Sequence, residues 1–301
     1  MTKIKDLLTL GELDKKQIFK ILDLAQSLKK DLKKGTTKPL LKNKTLAMIF
    51  QKPSTRTRVS FEAGMFHLGG HAIHLSSDDL QLSRGETIED TARTLSRYVD
   101  IIMARVYDHS TVESLARYAD IPVINGLSNS FHPCQILADL MTIRENKTRL
   151  DGLKLAWVGD GNNVCNSMIY GCAKTGISIS IATPKGFEPD PKVVKECKGM
   201  VEISLTQDPK AAVKNADVVV TDTFVSIHDK PARLKKFYPK YQINSNLMAN
   251  AKNNAIFMHC LPAKRGQEVA ESVIDGSQSV VWDEAENRLH TQKALLASLP
   301  L

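Results

Sequence analysis

Five consecutive apolar residues, Leu46 to Phe50 in the run LAMIF, stand without a polar interruption. An amphipathic helix would break such a run at every third or fourth position, and a half-solvated strand at every second. A strand covered on both faces needs no break, and that is the condition of strands in a parallel sheet flanked by helices. Comparable blocks recur near 71–75, 100–104 and 121–125, then at 154–159, 177–182, 201–205, 217–221, 255–259 and 279–282. Helical patterns separate them, at 11–33, 55–67, 87–98, 110–119 and 133–145, and then at 163–175, 190–199, 209–215, 266–273 and 283–298. Two βα series joined by the polar segment NKTRLDGLK predict two doubly wound, parallel-sheet α/β domains. The expected bounds are 1–145 and 151–282, with a C-terminal helix, 283–301, packing back on the first domain.

A chain of 301 residues fits two domains. No apolar stretch is long enough to span a membrane, and MTKIKDLLTL lacks the apolar core of a secretion signal, so a cytoplasmic protein is expected. The five cysteines (134, 165, 172, 197 and 260) form no CxxC pair and no disulfide framework. The net charge of +8 is spread along the chain, without an RNA-binding aromatic motif, a zinc finger or a basic arm. A small acidic substrate suits that charge better than nucleic acid.

Ligands of doubly wound sheets bind beyond the carboxyl ends of the strands, so the residues there carry the functional reading. KPSTRTR follows the 46–50 strand and opens a helix. Outward N–H groups and the helix dipole favour an anion at such a point. Ser54, Thr55 and Thr57 add hydroxyls, and Arg56 adds a planar fork that matches phosphate. A plain N-cap by Ser54 or Thr55 explains one hydroxyl of this cluster, not all of them. Arg105 ends the third strand, where it either pairs structurally or faces the site. SFHPCQ puts His132 and Gln135 at a helix start, with Pro133 suited to the first turn; His132 is a hydrogen-bond donor to a substrate or a structural histidine.

In the second half, VGDGNNV follows a strand but does not complete GxGxxG, and no acidic residue ends the next strand, so a dinucleotide is disfavoured. Asn163 opens the following helix and is a candidate for holding a zwitterionic ligand. Asp222 and Ser226 follow another strand, and Cys260 and Leu261 the next. His259 and Cys260 are sequence neighbours, which suits a shared tetrahedral ion poorly, so no metal is expected. Nothing in the sequence orients a base toward Cys260 as a nucleophile.

Taken in order, STRTR, QLSRGETIEDTARTLSRY, MAR, HPCQ, DGNNV, DTFVS, HCLP and ENRLHTQKA resemble the ornithine carbamoyltransferase family over nearly the whole chain. STRTR and HPxQ are shared with aspartate carbamoyltransferases, whereas DGNNV, the D-x-x-x-S block and HCLP point to the ornithine branch. The resemblance implies that Ser54, Thr55, Arg56, Thr57, Gln81, Arg105, His132, Gln135 and Arg288 hold carbamoyl phosphate, with Cys260 and Leu261 between the substrates. Gln81 would reach the phosphate from a neighbouring subunit. Asn163, Asp222, Ser226 and Ile227 match the ornithine positions, and Arg56, Arg105, His132, Asp222 and Cys260 are the implied catalytic set. The same resemblance implies a reaction without a cofactor and a homo-oligomer, a trimer or an assembly of trimers, binding neither nucleic acid nor membrane. One departure stands out: the family's Ser-Met-Gly loop reads Ser226-Ile227-His228 here. Rival readings are a carbamoyltransferase for another acceptor (acylated ornithine, putrescine or aspartate), a silent anion-binding homologue, and a nucleotide-dependent oxidoreductase.

Overall fold

The computed structural model of the protein describes residues 4–81, 85–225 and 230–301. The chain divides into two compact units, Met1–Ala138 with Glu286–Leu301, and Asp139–Ala285. The division falls inside two helices, α5 (Pro133–Lys147) and α12 (Val281–Ser298).

Unit 1 carries four parallel strands, β1 (Thr45–Phe50), β2 (His71–Ser76), β3 (Ile101–Arg105) and β4 (Val123–Leu127). Their order is β2-β1-β3-β4. The inner position of β1 explains its unbroken apolar run, since every residue from Leu46 to Phe50 is buried. Edge strand β2 is instead partly exposed along its length. Helix α1 (Lys15–Lys33) precedes β1, and the connecting helices are α2 (Thr55–His67), α3 (Ile88–Tyr98) and α4 (His109–Tyr118). Helix α1 starts four positions later than its hydrophobic pattern suggests. Asp14 caps it, with Oδ1 accepting the Gln17 N–H at 2.7 Å, and Leu10–Glu12 forms a separate 3-10 turn.

Unit 2 has five parallel strands, β5 (Lys154–Val158), β6 (Ser178–Ala182), β7 (Ile203–Thr206), β8 (Val218–Thr221) and β9 (Ile256–His259), ordered β7-β6-β5-β8-β9. Its helices are α6 (Asn163–Thr175), α7 (Pro191–Cys197), α8 (Pro209–Val213), α9 (Leu234–Phe237), α10 (Ser245–Met248) and α11 (Glu271–Ile274). Trp157, Phe224, Phe237 and Phe257 are fully buried in it, and the Phe224 and Phe237 rings stack with centroids 4.8 Å apart.

Two further stretches, 279–282 and 266–273, depart from the sequence expectation. The apolar stretch 279–282 is not a strand. Only Ser279 bridges Phe257, and α12 takes over from Val281, which leaves Trp282 helical and 64% exposed. The helix expected over 266–273 shrinks to α11, because Val269 bridges both Ile243 and Arg265 and holds the chain extended there.

In each sheet the chain leaves in opposite directions from two adjacent strands, β1 and β3 in unit 1 and β5 and β8 in unit 2. A crevice opens at such a switch point, beyond the carboxyl ends of the strands. KPSTRTR and Arg105 lie at the first, the DGNN turn and Asp222 at the second.

Candidate active site

At the switch point of unit 1, Ser54 caps α2, its Oγ accepting the Thr57 N–H at 3.2 Å. The N-cap reading therefore holds for this one hydroxyl. It leaves the Ser54 O–H able to donate outward. Thr57 is buried, and its Oγ1 accepts from Arg105 Nη1 at 3.5 Å and from Arg288 Nη2 at 3.3 Å. Register brings Arg105 there, since it pairs with Phe50, the last residue of β1. Arg288 arrives from α12 and is held on three sides: Nη1 donates to Gln135 Oε1 at 2.7 Å, Nε to Gln292 Oε1 at 3.0 Å, and Nη2 to Thr57. Behind it, Gln292 Nε2 donates to Ser60 Oγ at 2.8 Å, and Ser60 Oγ donates to the Arg56 carbonyl at 2.6 Å. The buried guanidinium is thus fixed before any ligand arrives.

His132 is buried beside this cluster. Burial pushes its imidazole well below the usual histidine range, and the positive charges of Arg288, Arg105 and Arg56 push the same way. At neutral pH the ring is uncharged and can donate one N–H. Two residues on, burial lifts the Cys134 thiol to about 12, so this cysteine is an inert packing group. Thr55 is exposed and Arg56 half-buried on the first turn of α2. Gln81 is exposed, and among the described residues it joins no side chain of this cluster; its carbonyl accepts the Glu86 N–H at 3.1 Å.

In unit 2, the Asp222 carboxylate after β8 is buried and held by three donors. Asn162 Nδ2 reaches Oδ2 at 2.7 Å, while the Thr223 N–H at 2.7 Å and Cys260 Sγ at 3.2 Å reach Oδ1. Asn162 also caps α6, its Oδ1 accepting from the Val164 and Cys165 N–H groups at 3.0 and 3.1 Å. The neighbouring Asn163, expected from the sequence to hold a zwitterionic ligand, is the first helical residue and half-buried, and Asn162 was not singled out beside it. The missed signal was the N-cap itself: an Asn just ahead of an apolar helical run uses its oxygen for the helix and frees its amide for a partner. Desolvation pushes the Cys260 thiol far up, aided by Asp222 and Glu284, so the sulfur is a protonated donor and not a thiolate nucleophile.

Asp222, His259 and Cys260 bring ligand-type atoms within 4.8 Å of one another. Both ring nitrogens of His259 are already engaged, Nδ1 by the Leu261 N–H at 2.9 Å and Nε2 by Glu268 Oε1 at 3.3 Å. The set is therefore built as a hydrogen-bonding network. Leu261 lies at φ 55°, a left-handed conformation uncommon for a residue with a Cβ. The expected ornithine positions Ser226 and Ile227 lie outside the described residues.

These clusters, two arginines meeting at a helix start in unit 1 and a fixed carboxylate beside a thiol in unit 2, lie in a chain that known proteins match along nearly its whole length. Residues 5–145 fit the model of the aspartate/ornithine carbamoyltransferase carbamoyl-P binding domain, and residues 151–299 that of the Asp/Orn binding domain. The chain belongs to the aspartate/ornithine carbamoyltransferase family. Within this family it is 63% identical to the ornithine carbamoyltransferase of Cenarchaeum symbiosum, over 98% of either chain. It is 53% identical to that of Archaeoglobus fulgidus, over 98% of this chain and 97% of the relative. Among solved structures, the ornithine carbamoyltransferase of Pyrococcus furiosus superimposes with a TM-score of 0.96 at 53% identity, covering 99% of this chain and 98% of that one.

Proposed function

We propose that the protein transfers the carbamoyl group of carbamoyl phosphate to the side-chain amine of L-ornithine, giving L-citrulline and phosphate. The observation that carries this reading is the convergence of Arg105 and Arg288 on Thr57 Oγ1 at the first turn of α2. Two planar guanidinium forks and a helix N-terminus make a site for a doubly charged oxyanion. The name shared by the relatives in Cenarchaeum and Archaeoglobus supports ornithine as the acceptor.

In this reading unit 1 binds carbamoyl phosphate through Ser54, Thr55, Arg56, Thr57, Arg105, His132, Gln135 and Arg288, with Gln81 contributed by a neighbouring subunit. Unit 2 binds ornithine through Asn163, Asp222, Ser226 and Ile227, and Asn162 joins them as the group that orients Asp222. Cys260 and Leu261 face the carbamoyl group.

The amine attacks the carbamoyl carbon, a tetrahedral intermediate forms, and the C–O bond to phosphate breaks. The nucleophile must be neutral. Deprotonating an alkylamine with pKa about 10.4 costs roughly 4–5 kcal/mol at pH 7. Asp222 alone would favour the ammonium form, so its task is to orient. The departing phosphate takes up the amine's proton, which balances the transfer. Neutral His132 donates to the carbamoyl oxygen together with Arg105 and Thr57, and one such donor contributes on the order of 3 kcal/mol to the transition state. Arg56 and Arg288 neutralise the leaving phosphate.

The active form is proposed to be a trimer or an assembly of trimers. Leu40, Val59, Phe66, Ile73 and Tyr98 support this, being large apolar side chains left exposed on unit 1. All five cysteines are free thiols, which suits action in a reducing cytoplasm. Among the described residues no helix is long and apolar enough to cross a membrane. A relative in Pyrococcus furiosus, 55% identical, is named as the anabolic enzyme, and this supports a role in arginine synthesis. Product analysis of purified protein with carbamoyl phosphate and a panel of amine acceptors tests the reading. Citrulline from ornithine is expected, and carbamoylation of aspartate or putrescine instead would overturn it.

A further inference from the structure

Two ionisable side chains in unit 2, His259 and Glu268, are wholly buried and paired, and the transfer chemistry above uses neither. Burying such a pair is rarely a net gain in stability, so its retention asks for another explanation. The geometry supplies one. His259 Nδ1 accepts the Leu261 N–H at 2.9 Å and so holds no proton. The ring proton sits on Nε2, which donates to Glu268 Oε1 at 3.3 Å. The Lys264 N–H donates to the same Oε1, which fixes the carboxylate from its other side. The His259 backbone is pinned as well, its N–H donating to Glu284 Oε2 at 2.9 Å.

The peptide N–H held by this relay belongs to Leu261, which stands at φ 55°. A non-glycine residue in that region is strained by about 1–2 kcal/mol and persists only where its surroundings enforce it. The flipped tautomer would turn an N–H of His259 against the Leu261 N–H and release the turn. Glu268 opposes that tautomer, because its Oε1 accepts the Lys264 N–H and would then face a bare Nε2 lone pair. Cys260, the donor to Asp222, sits between His259 and Leu261.

We infer that Glu268 is a positioning residue for carbamoyl transfer: by fixing the His259 tautomer it pins the Leu261 peptide and thereby the turn that presents Cys260 and Leu261 to the reacting groups. This rests on the carbamoyltransferase reading. The side chain touches no reacting atom, and its effect passes through one imidazole.

The test compares Glu268→Leu and Glu268→Gln with wild type. Glu268→Gln retains an acceptor oxygen, which the Lys264 N–H keeps turned toward the histidine. It is expected to keep kcat within about threefold and to leave the ring 15N signals of His259 in the Nε2–H pattern. Glu268→Leu is expected to lose about tenfold or more in kcat and to show mixed tautomer signals. Inorganic phosphate, which probes unit 1, should bind both variants with a Kd within about twofold of wild type. Wild-type kcat in Glu268→Leu overturns the inference, as does a fall in kcat with an unchanged tautomer pattern. Should Glu268→Leu not fold, Glu268→Gln decides: loss of the Nε2–H pattern with wild-type kcat overturns the inference, and retention of both supports it. Failure of wild type to form citrulline would instead overturn the reading of the function, which keeps the two failures distinct.

Discussion

The Arg288 guanidinium donates to Gln135 Oε1 at 2.7 Å although 153 positions separate the two residues in the chain. The same guanidinium reaches Thr57, 231 positions away. Arg288→Lys retains the charge but cannot span Gln135, Gln292 and Thr57 from one rigid fork. Loss of the fork is expected to weaken carbamoyl phosphate binding by about 3 kcal/mol, roughly a hundredfold in Kd. Calorimetry with carbamoyl phosphate checks this, and a wild-type Kd would show that Arg288 serves structure alone.

Such long-range convergence marks the limit of what the chain discloses by itself. Helices α2 and α6 are legible to the residue, because each opens on a capping side chain after an apolar run. The inner strands are legible because a doubly covered strand has no polar face. The 279–282 stretch misleads for a related reason: Val280 and Val281 are as buried as strand residues, and burial alone does not separate a strand from a helix start. The short helices α9 and α10 carry too few residues to show a period. In the site, residue types at strand ends announced Thr57, Arg105 and Asp222. No spacing rule could announce that Asn162 would donate to Asp222, since that pairing depends on the order of β5 and β8.

Asn162 serves two partners with the two ends of its amide, so substitutions can separate them. Asn162→Asp keeps the oxygen that caps α6 but sets a carboxylate against Asp222. The helix cap is expected to persist, because Asp caps about as well as Asn, while melting temperature falls, because two carboxylates then face each other at a buried place. Ornithine KM should rise by about tenfold, from the loss of one charge-assisted hydrogen bond of about 1.5–3 kcal/mol. Asp222→Asn should likewise spare phosphate binding while damaging ornithine use. Steady-state kinetics in each substrate separately resolves this. An equal loss for both substrates would show that Asp222 merely holds the fold.

Acid stability should carry the signature of His290. This residue is buried in α12, with Nε2 3.2 Å from Glu286 Oε1, and burial holds its imidazole down at about 4. In the unfolded chain it titrates near 6.5, so between the two values the unfolded state binds more protons. Its contribution is therefore complete above about pH 6.5 and is lost as pH falls from 6.5 toward 4, on the order of 3 kcal/mol across the window. Burial and the nearby arginines depress His132 as well, which adds loss in the same direction. Chemical denaturation at a series of pH values is expected to show stability falling below pH 6.5, with a shallower slope in His290→Gln. An unchanged slope in that variant would remove His290 from the account.

Gly161 offers a steric test of the turn that carries Asn162. Its N–H donates to the Phe187 carbonyl at 2.8 Å, and a Cβ at this position would stand 2.3 Å from Pro189 N and 2.4 Å from the Glu188 carbonyl carbon. These are backbone atoms of a neighbouring segment, so no rotamer change can relieve the clash. Gly161→Ala is expected to cost about 1–3 kcal/mol and to lower the melting temperature by roughly 2–12 °C. Nearby Gly186 supplies the control: a Cβ there meets nothing within 4 Å, and only its φ of +84° opposes substitution. Gly186→Ala should lose about 1 kcal/mol with unchanged kinetics. Gly161→Ala should in addition raise ornithine KM, because Asn162 and the cap of α6 move with the turn. Equal ornithine KM in the two variants, with Gly161→Ala clearly less stable, would mean that the turn supports the fold without setting the position of Asp222.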